Sequence, residues 1–260
     1  MPATPADWLL PGEGDLAPVL AHFAAEGWAR LGRVLSDAGL AALRARADDL
    51  MLGRVRPEGL FYQHDSTSGA YEDLEFGRGW VGPSLAYRKV EKLELDEVMR
   101  AWIDNPTFAR VAHALVGPEV SLYRAMLMNK AARGGTALPW HQDGGLFWGI
   151  DRQPTLQIWT ALDDATAESG ALEIVPGAHL GGLVRPAGGN VPPERSASVT
   201  GVTVPAVAGE ALLVHNHVWH RSGRNHTDGP RRALSFCDLD AASRCTRKKH
   251  APRQFARVFV

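Results

Sequence analysis

The sequence predicts a mainly β fold, in which helices pack outside a sandwich or barrel of short strands. A chain of 260 residues with 45% hydrophobic and 22% charged residues suits one large globular domain. Helical spacing dominates the first part of the chain, whereas short apolar runs separated by Gly, Pro, Asn and Asp dominate from Val120 onwards. The chain has no repeat of fixed period and no low-complexity linker. We therefore interpret residues 1–260 as a single domain.

The N-terminal part, residues 1–118, is predicted to be mainly helical. Asp15–Gly27 has apolar residues at helical spacing, and Ser36 is a typical N-cap for the helix that follows it. Two further helices are predicted at LDEVMRAWI and at NPTFARVAHALVG, the second capped by Asn105. A short strand at GWARLGRVL and a long loop with short strands over residues 60–88 complete this part.

The following part, residues 119–240, is predicted to form the β core. Its candidate strands are VSLYRAMLMNK, TLQIWTAL, ALEIV, TGVTVPAV, EALLVHNHVWH and RALSFCDL. Short strands at regular spacing, separated by turn-forming residues, are typical of β-sandwiches and barrels.

Charge and cysteine content exclude several classes of partner. The 28 Lys and Arg nearly balance the 29 Asp and Glu, so we expect a small-molecule substrate and neither a nucleic acid nor a membrane as partner. Cys237 and Cys245 are too few for a disulfide framework or a Cys-rich zinc site. MPATPADWLLPGEG lacks the features of a secretory signal, and no apolar run approaches about 18 residues. We expect a cytoplasmic protein.

Two segments contain candidate metal ligands, LPWHQDGG and HNHVWHRSGRNHTDGPRRAL. Residues i and i+2 of an extended segment project to the same side, so His141 and Asp143 can present an imidazole and a carboxylate to one ion. His220 from a later strand would complete the set. Two histidines and one carboxylate are the ligands of non-haem Fe(II) oxygenases. We predict that these three residues bind Fe(II) and form the catalytic centre.

His215 and His217 compete with His220 for the third position. If this strand is regular, alternation places His220 on one face and the other two histidines on the opposite face. A turn at NHTDGP and a returning antiparallel strand would bring Arg231 beside the metal, where its planar guanidinium could bind a dicarboxylate co-substrate. This arrangement favours His220, and Arg232 is interpreted as a surface or structural charge.

LPWHQDGG, TLQIWTALDDATAESGALEIVPGAHL and HRSGRNHTDGPRRAL together resemble the phytanoyl-CoA dioxygenase family, and within it most closely the phytanoyl-CoA dioxygenase domain-containing proteins. The resemblance covers roughly residues 85–240. It implies a double-stranded β-helix, which is a cupin-like jelly-roll barrel, with flanking helices. It also implies Fe(II), 2-oxoglutarate and O2 as cofactor and co-substrates. The implied reaction hydroxylates an unactivated C–H bond and releases succinate and CO2.

The resemblance also assigns residues to 2-oxoglutarate. Arg231 and Ser222 match the residues that bind its distal carboxylate. Further co-substrate contacts are implied for Lys89, Met126 and Trp159, and alternation along TLQIWTAL places Gln157 on the same face as Trp159. The family's halogenases carry a small residue in place of the carboxylate ligand. The retained Asp143 therefore favours hydroxylation over halogenation.

The resemblance is weakest where a substrate would bind, so phytanoyl-CoA is not expected as the substrate. Six aromatic residues from the long loop and from the segment after the metal motif are either pocket walls or core residues, namely Phe61, Tyr62, Tyr71, Trp80, Phe147 and Trp148. Arg133 is either a contact for an anionic substrate or a solvated loop charge.

Two other functions remain open. A zinc-dependent hydrolase can use the same two histidines and one carboxylate, but it would leave Arg231 without a task. A catalytically silent jelly-roll that binds a ligand would have no need of the complete set of His141, Asp143, His220 and Arg231.

Overall fold

The computed structural model describes residue 9, residues 14–248 and residues 252–260. Most of the N-terminal segment that we examined for a secretory signal, residues 1–14, lies outside these ranges. Among the helices that are described, none is both long and apolar enough to cross a membrane.

Five α-helices and thirteen strands are described. The helices are α1 (Ala17–Glu26), α2 (Asp37–Leu52), α3 (Glu97–Ile103), α4 (Pro106–Leu115) and the short α5 (Pro193–Ser196). The first seven strands are β1 (Trp28–Arg33), β2 (Phe61–His64), β3 (Tyr87–Glu91), β4 (Val120–Lys130), β5 (Leu138–Gln142), β6 (Leu156–Ala161) and β7 (Leu172–Val175). The remaining strands are β8 (Gly189–Asn190), β9 (Val202–Val204), β10 (Glu210–Val214), β11 (Trp219–Ser222), β12 (Arg231–Asp240) and β13 (Arg257–Phe259).

Side-chain caps start three of the helices. The Ser36 hydroxyl accepts a hydrogen bond from Gly39 N at the start of α2, and the Asn105 side chain accepts one from Thr107 N at the start of α4. These contacts confirm the two predicted caps. Each satisfies a backbone donor that the first turn of a helix leaves without a partner. Asp96, which we had not singled out, caps α3 in the same way.

The strands form two antiparallel sheets. The large sheet has eight strands in the order β1-β10-β6-β12-β4-β3-β2, with β13 beside β4, and the small sheet has five in the order β8-β5-β11-β7-β9. From β4 to β7 and again from β9 to β12, successive strands alternate between the sheets. The N-terminal part therefore contributes three strands to the large sheet, in addition to its helices.

Two apolar cores cover the two faces of the large sheet. On the outer face, side chains of α1 to α4 pack against strand residues such as Ile158 and Phe236. On the inner face, Trp159 and Leu212 pack together with Ile174 of the small sheet. Because neighbouring residues of β6 serve opposite faces, all six of its residues are buried. The helices thus cover the outer face of the large sheet, and the candidate site lies in the space between the two sheets.

One predicted strand, EALLVHNHVWH, is wrong as a single element. It is divided into β10 and β11, which belong to different sheets, and residues 215–218 form the turn between them. The predicted hairpin between His220 and Arg231 is also wrong, because β11 pairs with β5 and β7 whereas β12 pairs with β4 and β6. The chain crosses from the small sheet to the large one in this segment, so the two residues face each other across the sheets.

Candidate metal and co-substrate site

A single cavity between the sheets contains the whole predicted site. The large sheet contributes lining residues from β3, β4, β6, β10 and β12, and the small sheet from β5, β7 and β11. Nine predicted site residues line it, namely His141, Asp143, His220, Arg231, Ser222, Lys89, Met126, Trp159 and Gln157.

His141 and His220 lie directly opposite each other on β5 and β11. Their ring centroids are 4.1 Å apart. His141 Nδ1 lies 2.8 Å from Pro139 O, and His220 Nδ1 lies 3.0 Å from Val218 O. A backbone carbonyl can only accept, so each Nδ1 is assigned the proton, which leaves the Nε2 lone pair free for an ion. Burial, and next the neighbouring His220, lowers the pKa of His141 to about 3, so the imidazole is neutral.

Asp143 lies just beyond the end of β5 and is held as a carboxylate. Its Oδ2 accepts a hydrogen bond of 2.6 Å from Gln157 Nε2, and Arg124 lies 3.4 Å from its Oδ1. Burial alone would raise the pKa of this carboxyl, but Arg124 and the two histidines outweigh it and lower the pKa. The distance from Asp143 Oδ2 to His220 Nε2 is 3.8 Å. A charged oxygen therefore lies beside the two imidazoles.

This donor set fits a divalent metal ion. Nitrogen from two neutral imidazoles and oxygen from a carboxylate are the ligands that Fe(II) takes in oxygenases, and backbone carbonyls fix the ring orientations from behind. The side chains of His141, Asp143 and His220 lie close together, but they do not have the geometry of a formed metal site. Across the described ranges, no three His, Cys, Asp or Glu side chains meet the spacing of a formed metal site. Gln157 and Arg124 hold Asp143 in the arrangement observed.

Arg231 is buried in the cavity with much of its hydrogen-bonding capacity unused. It is 4% exposed, and Nη2 donates to Gly170 O at 3.0 Å, while Nε has no partner among the described residues. Burial lowers its pKa to about 10. The Trp159 ring centroid lies 5.9 Å from the guanidinium, and Trp159 Nε1 likewise has no partner in the described part of the chain. Buried donors without acceptors are rare, so this pair fits an anionic ligand.

The other predicted co-substrate residues lie around these two. Ser222 and Met126 are buried in the cavity wall. Burial, and next the charges of Arg88 and Arg124, lowers the pKa of Lys89 to about 7. Gln157, which we expected to contact the co-substrate, donates instead to the carboxylate of Asp143.

The rival histidines lie outside the cavity. Neither His215 nor His217 is among its described lining residues. His215 stacks against His179, with ring centroids 4.8 Å apart, and accepts a hydrogen bond from His217 N at 3.0 Å. Burial lowers the pKa of His215 to about 3, as expected of a packed neutral ring. The structure thus separates His220 from its neighbours through the turn at residues 215–218, although the regular strand that we had assumed does not exist.

The predicted aromatic pocket wall is wrong. None of the six aromatic residues lies among the described residues that line the cavity. Tyr62 and Trp80 pack with Tyr87 in the outer core, and Trp148 stacks against Tyr123. Phe147 is 55% exposed. Proximity in sequence to the metal motif does not determine the direction of a side chain.

Our sequence analysis missed two arginines of the cavity, Arg88 and Arg124. Arg124 is a charged residue within an otherwise apolar run, LYRAM, whereas Arg88 lies beside another charged residue, Lys89, in YRKV. Met126 had already been placed at the site, and alternation along β4 puts Arg124 on the same face. The position of Arg124 could therefore have been predicted from the sequence. The position of Arg88 follows from a strand irregularity that alternation does not predict.

The sequence profile of the phytanoyl-CoA dioxygenase family matches residues 23–233. Phytanoyl-CoA dioxygenase domain-containing protein 1 of Bos taurus is 30% identical over 160 residues, which cover 57% of this chain and 55% of that protein. L-proline trans-4-hydroxylase of Streptomyces griseoviridis is 29% identical over 175 residues, which cover 65% and 58%. The chain thus matches little more than half the length of these two relatives.

A solved structure shares the architecture. The epimerase SnoN in complex with Fe3+, alpha ketoglutarate and nogalamycin RO superposes with a TM-score of 0.70, covering 93% of this chain and 94% of that chain at 22% identity. This likeness concerns the fold. Together with the two antiparallel sheets, it confirms the prediction of a mainly β jelly-roll with flanking helices.

Proposed function

The chain belongs to the phytanoyl-CoA dioxygenase family, and we propose that it is a non-haem Fe(II)- and 2-oxoglutarate-dependent dioxygenase that hydroxylates an unactivated C–H bond of a small molecule. The observation that carries the proposal is the convergence in one cavity of His141, His220 and Asp143 with a buried arginine, Arg231, whose Nε has no acceptor among the described residues. A zinc hydrolase needs the first three residues but has no use for Arg231.

Each residue has a defined task in this proposal. His141, Asp143 and His220 hold Fe(II), which with 2-oxoglutarate and O2 supplies the oxidising chemistry and yields succinate and CO2. The carbonyls of Pro139 and Val218 keep the protons on the Nδ1 atoms, so both Nε2 atoms stay available.

The co-substrate would be oriented by the large sheet. Arg231 binds its distal carboxylate through the unused guanidinium donors, Lys89 assists from the same sheet, and Ser222 assists from β11 on the opposite wall of the cavity. Trp159 closes the inner side and excludes water, which strengthens every charged contact in the cavity. Gln157 holds Asp143 in place from the opposite sheet.

A small-molecule substrate is supported by the relatives. One acts on L-proline, as its name states, and SnoN was crystallised with nogalamycin RO. Hydroxylation is favoured because the carboxylate of Asp143 is retained. We also propose a cytoplasmic location. It is supported by the two cysteines, both of which are free, since free thiols suit a reducing compartment. Cell fractionation with a specific antibody tests that location.

The reaction class is tested by spectroscopy and product analysis. Anaerobic protein with Fe(II) and 2-oxoglutarate should develop a weak visible charge-transfer band, and admission of O2 should release succinate. His220→Ala should abolish both signals. His215→Gln is the matched control, because His215 packs against His179 outside the cavity, and it should retain both signals.

Three results would contradict the proposal. The first is the absence of both the band and succinate from the wild-type protein. The second is an unchanged affinity for Fe(II) in His220→Ala. The third is a hydrolytic activity that requires zinc and is indifferent to 2-oxoglutarate, which would identify a zinc hydrolase instead.

A further inference from the structure

The cavity contains more positive charge than the metal and co-substrate site requires. Among the described residues that line it, six are Lys or Arg and one, Asp143, is a carboxylate. Arg221 pairs with Glu173 at 2.7 Å, and Lys130 donates to Thr136 O at 2.5 Å. The proposed function uses two more, Arg231 and Lys89, for 2-oxoglutarate. Two guanidinium groups, those of Arg88 and Arg124, are then left over.

A β-bulge directs Arg88 into the cavity. In the pairing of β2 with β3, Gln63 is opposite Lys89 and the next residue, His64, is opposite Tyr87, so Arg88 is the extra residue. Neighbours on a regular strand point to opposite faces, whereas here both Arg88 and Lys89 line the cavity. Bulges are frequent beside active sites, where they redirect a side chain. Arg88 is therefore turned from the outer core towards the site.

A second bulge lies beside Arg124. In the pairing of β12 with β4, Cys237 is opposite Arg124 and Asp238 is opposite Leu122, so Tyr123 is the extra residue. Tyr123 stacks on Trp148 with ring centroids 4.4 Å apart, and the Arg124 guanidinium lies 4.4 Å from the Trp148 centroid. The ring of Trp148, itself stacked on Tyr123, packs against the guanidinium group of Arg124 and fixes its position.

Both arginines retain donors that no described group accepts. Arg124 makes only the long 3.4 Å contact to Asp143 Oδ1, and its buried Nε has no partner within the described ranges. Arg88 is 9% exposed and donates from Nη1 to the neutral amide oxygen of Gln63 at 3.0 Å. Burial lowers the pKa of Arg88 although the charges of Asp65, Tyr71 and Glu91 oppose it, and the nearby charge of Arg124 lowers it further. Two buried cations near each other are unfavourable unless an anion lies between them.

We propose that Arg88 and Arg124 bind a carboxylate group of the substrate. The inference rests on the proposed function, because it assigns the substrate class for the same cavity. Guanidinium groups match a carboxylate in shape and charge. A carboxylate is preferred over a phosphate because Asp143 lies 3.4 Å from Arg124, and a dianion there would be repelled by that carboxylate.

The position of this anchor also limits the substrate. Arg124 contacts Asp143, a proposed metal ligand, so a carboxylate held by Arg124 lies close to the metal position. The oxidised C–H bond then belongs to a carbon that is few bonds away from the carboxylate. Small carboxylic acids fit this requirement, and long acyl thioesters, in which the carboxylate is masked, do not.

The test compares acids with their neutral amides. The protein is loaded with Ni(II) and 2-oxoglutarate, which prevents turnover, and NMR titration measures binding of matched pairs that include L-proline with L-prolinamide and benzoate with benzamide. We expect at least one acid to bind about tenfold or more tightly than its amide. Arg88→Met and Arg124→Met should each remove that preference. Arg133→Met is the matched control and should keep it, because Arg133 is exposed and pairs with Asp228.

Each other outcome overturns the proposal. Acids and amides could bind equally, or no member of the panel could bind at millimolar concentration. Inorganic phosphate could bind more tightly than every acid. The preference for acids could also persist in both methionine variants. Arg124→Lys keeps the positive charge and should retain part of the preference for acids. It replaces Arg124→Met in the comparison if that variant does not fold. The charge-transfer band is measured on separate samples of the same protein variants, loaded anaerobically with Fe(II) and 2-oxoglutarate in place of Ni(II). A band without acid preference contradicts this inference alone, and acid preference without a band contradicts the proposed function.

Discussion

Arg231 and Arg232 are neighbours on β12, yet the two faces of the large sheet surround them with opposite chemistry. Arg232 points to the outer face, where Asp163 accepts two hydrogen bonds, at 2.8 Å from Nε and 3.0 Å from Nη2, and Asp48 accepts one at 2.5 Å from Nη1. Arg231 points to the inner face, where its described partner is the carbonyl of Gly170. Carboxylates thus accept hydrogen bonds from the guanidinium group of Arg232, whereas no carboxylate does so for that of Arg231 among the described residues.

The difference distinguishes a structural cation from a binding cation. Although burial opposes it, the hydrogen bonds and charge of Asp163 raise the pKa of Arg232, whereas burial dominates at Arg231 and lowers its pKa to about 10. A paired charge stabilises the native fold, and its loss removes a partner from Asp163 and Asp48. A buried charge without a carboxylate opposes folding and stabilises a bound anion. Predictions for the two faces therefore have opposite signs.

The largest effect is expected at Arg231. Arg231→Ala should weaken 2-oxoglutarate binding by about 2 to 4 kcal/mol, because the distal carboxylate loses its charged partner. The melting temperature of the ligand-free variant should be unchanged or higher, since a poorly compensated buried charge has been removed. Anaerobic titration of the charge-transfer band and thermal unfolding measure the two quantities. A large loss of stability without a loss of affinity would assign Arg231 to the structural class.

Arg232→Ala should show the reverse pattern. The free energy of unfolding should fall by about 2 kcal/mol, less than for a fully enclosed ion pair because Asp48 is 37% exposed. The affinity for 2-oxoglutarate should change less than about twofold, since the side chain faces away from the cavity. Urea unfolding and the same titration provide the comparison. A selective loss of 2-oxoglutarate affinity would mean that the two arginines had been assigned to the wrong faces.

A smaller effect on the inner face concerns pH. Because burial and the charges of Arg88 and Arg124 lower the pKa of Lys89 to about 7, raising the pH through 7 neutralises this side chain in the free protein. The affinity for 2-oxoglutarate should then decrease with rising pH, by up to about tenfold per pH unit above 7. Lys89→Met should bind more weakly at pH 6 and should lose this dependence. A flat profile for the wild-type protein would contradict the assignment of Lys89 to the co-substrate.

The same depressed pKa affects stability with the opposite sign. The unfolded chain keeps this lysine protonated up to its ordinary value of 10.5, so between about pH 7 and that value the unfolded state binds more protons. Lys89 therefore destabilises the ligand-free protein below pH 7, and this penalty disappears progressively as the pH rises from 7 to 10.5. In a comparison of urea unfolding, Lys89→Met should be more stable than the wild-type protein at pH 6, and the advantage should shrink at pH 9.

The smallest effect is expected for an ion pair on neither face. Arg133 and Asp228 lie 2.6 Å apart on the surface, with side chains 70% and 82% exposed. Arg133→Met should change the free energy of unfolding by less than about 0.5 kcal/mol and should leave ligand binding intact. Chemical denaturation measures the first and the acid and amide titrations the second. Loss of substrate binding in this variant would instead support the alternative that Arg133 contacts an anionic substrate.

Local chemistry made much of the fold predictable. The caps at Ser36 and Asn105 and the apolar run of Val120–Lys130 depend on neighbouring residues alone, and the structure has them where the sequence indicates. The five residues that the family resemblance assigned to the co-substrate all line the cavity, namely Arg231, Ser222, Lys89, Met126 and Trp159. Alternation along β6 correctly placed Gln157 and Trp159 together.

Long-range features were not predictable in the same way. Alternation cannot distinguish one strand from two strands that meet at a corner, so the turn at residues 215–218 was missed. It also assumes a regular ladder, and the extra residue at Arg88 reverses the direction that alternation assigns. The aromatic residues were misplaced because their packing partners, such as Tyr87 for Tyr62, are distant in sequence.

The hydrogen bond from Gln157 to Asp143 joins the two sheets, and the proposed metal ligands and the proposed substrate anchor are divided between them. The histidines lie on strands of the small sheet, whereas Arg88 and Arg124 lie on β3 and β4 of the large one. On the proposed assignments, substitutions on the two adjacent strands β3 and β4 would change which substrates bind and would leave the metal ligands of the small sheet in place.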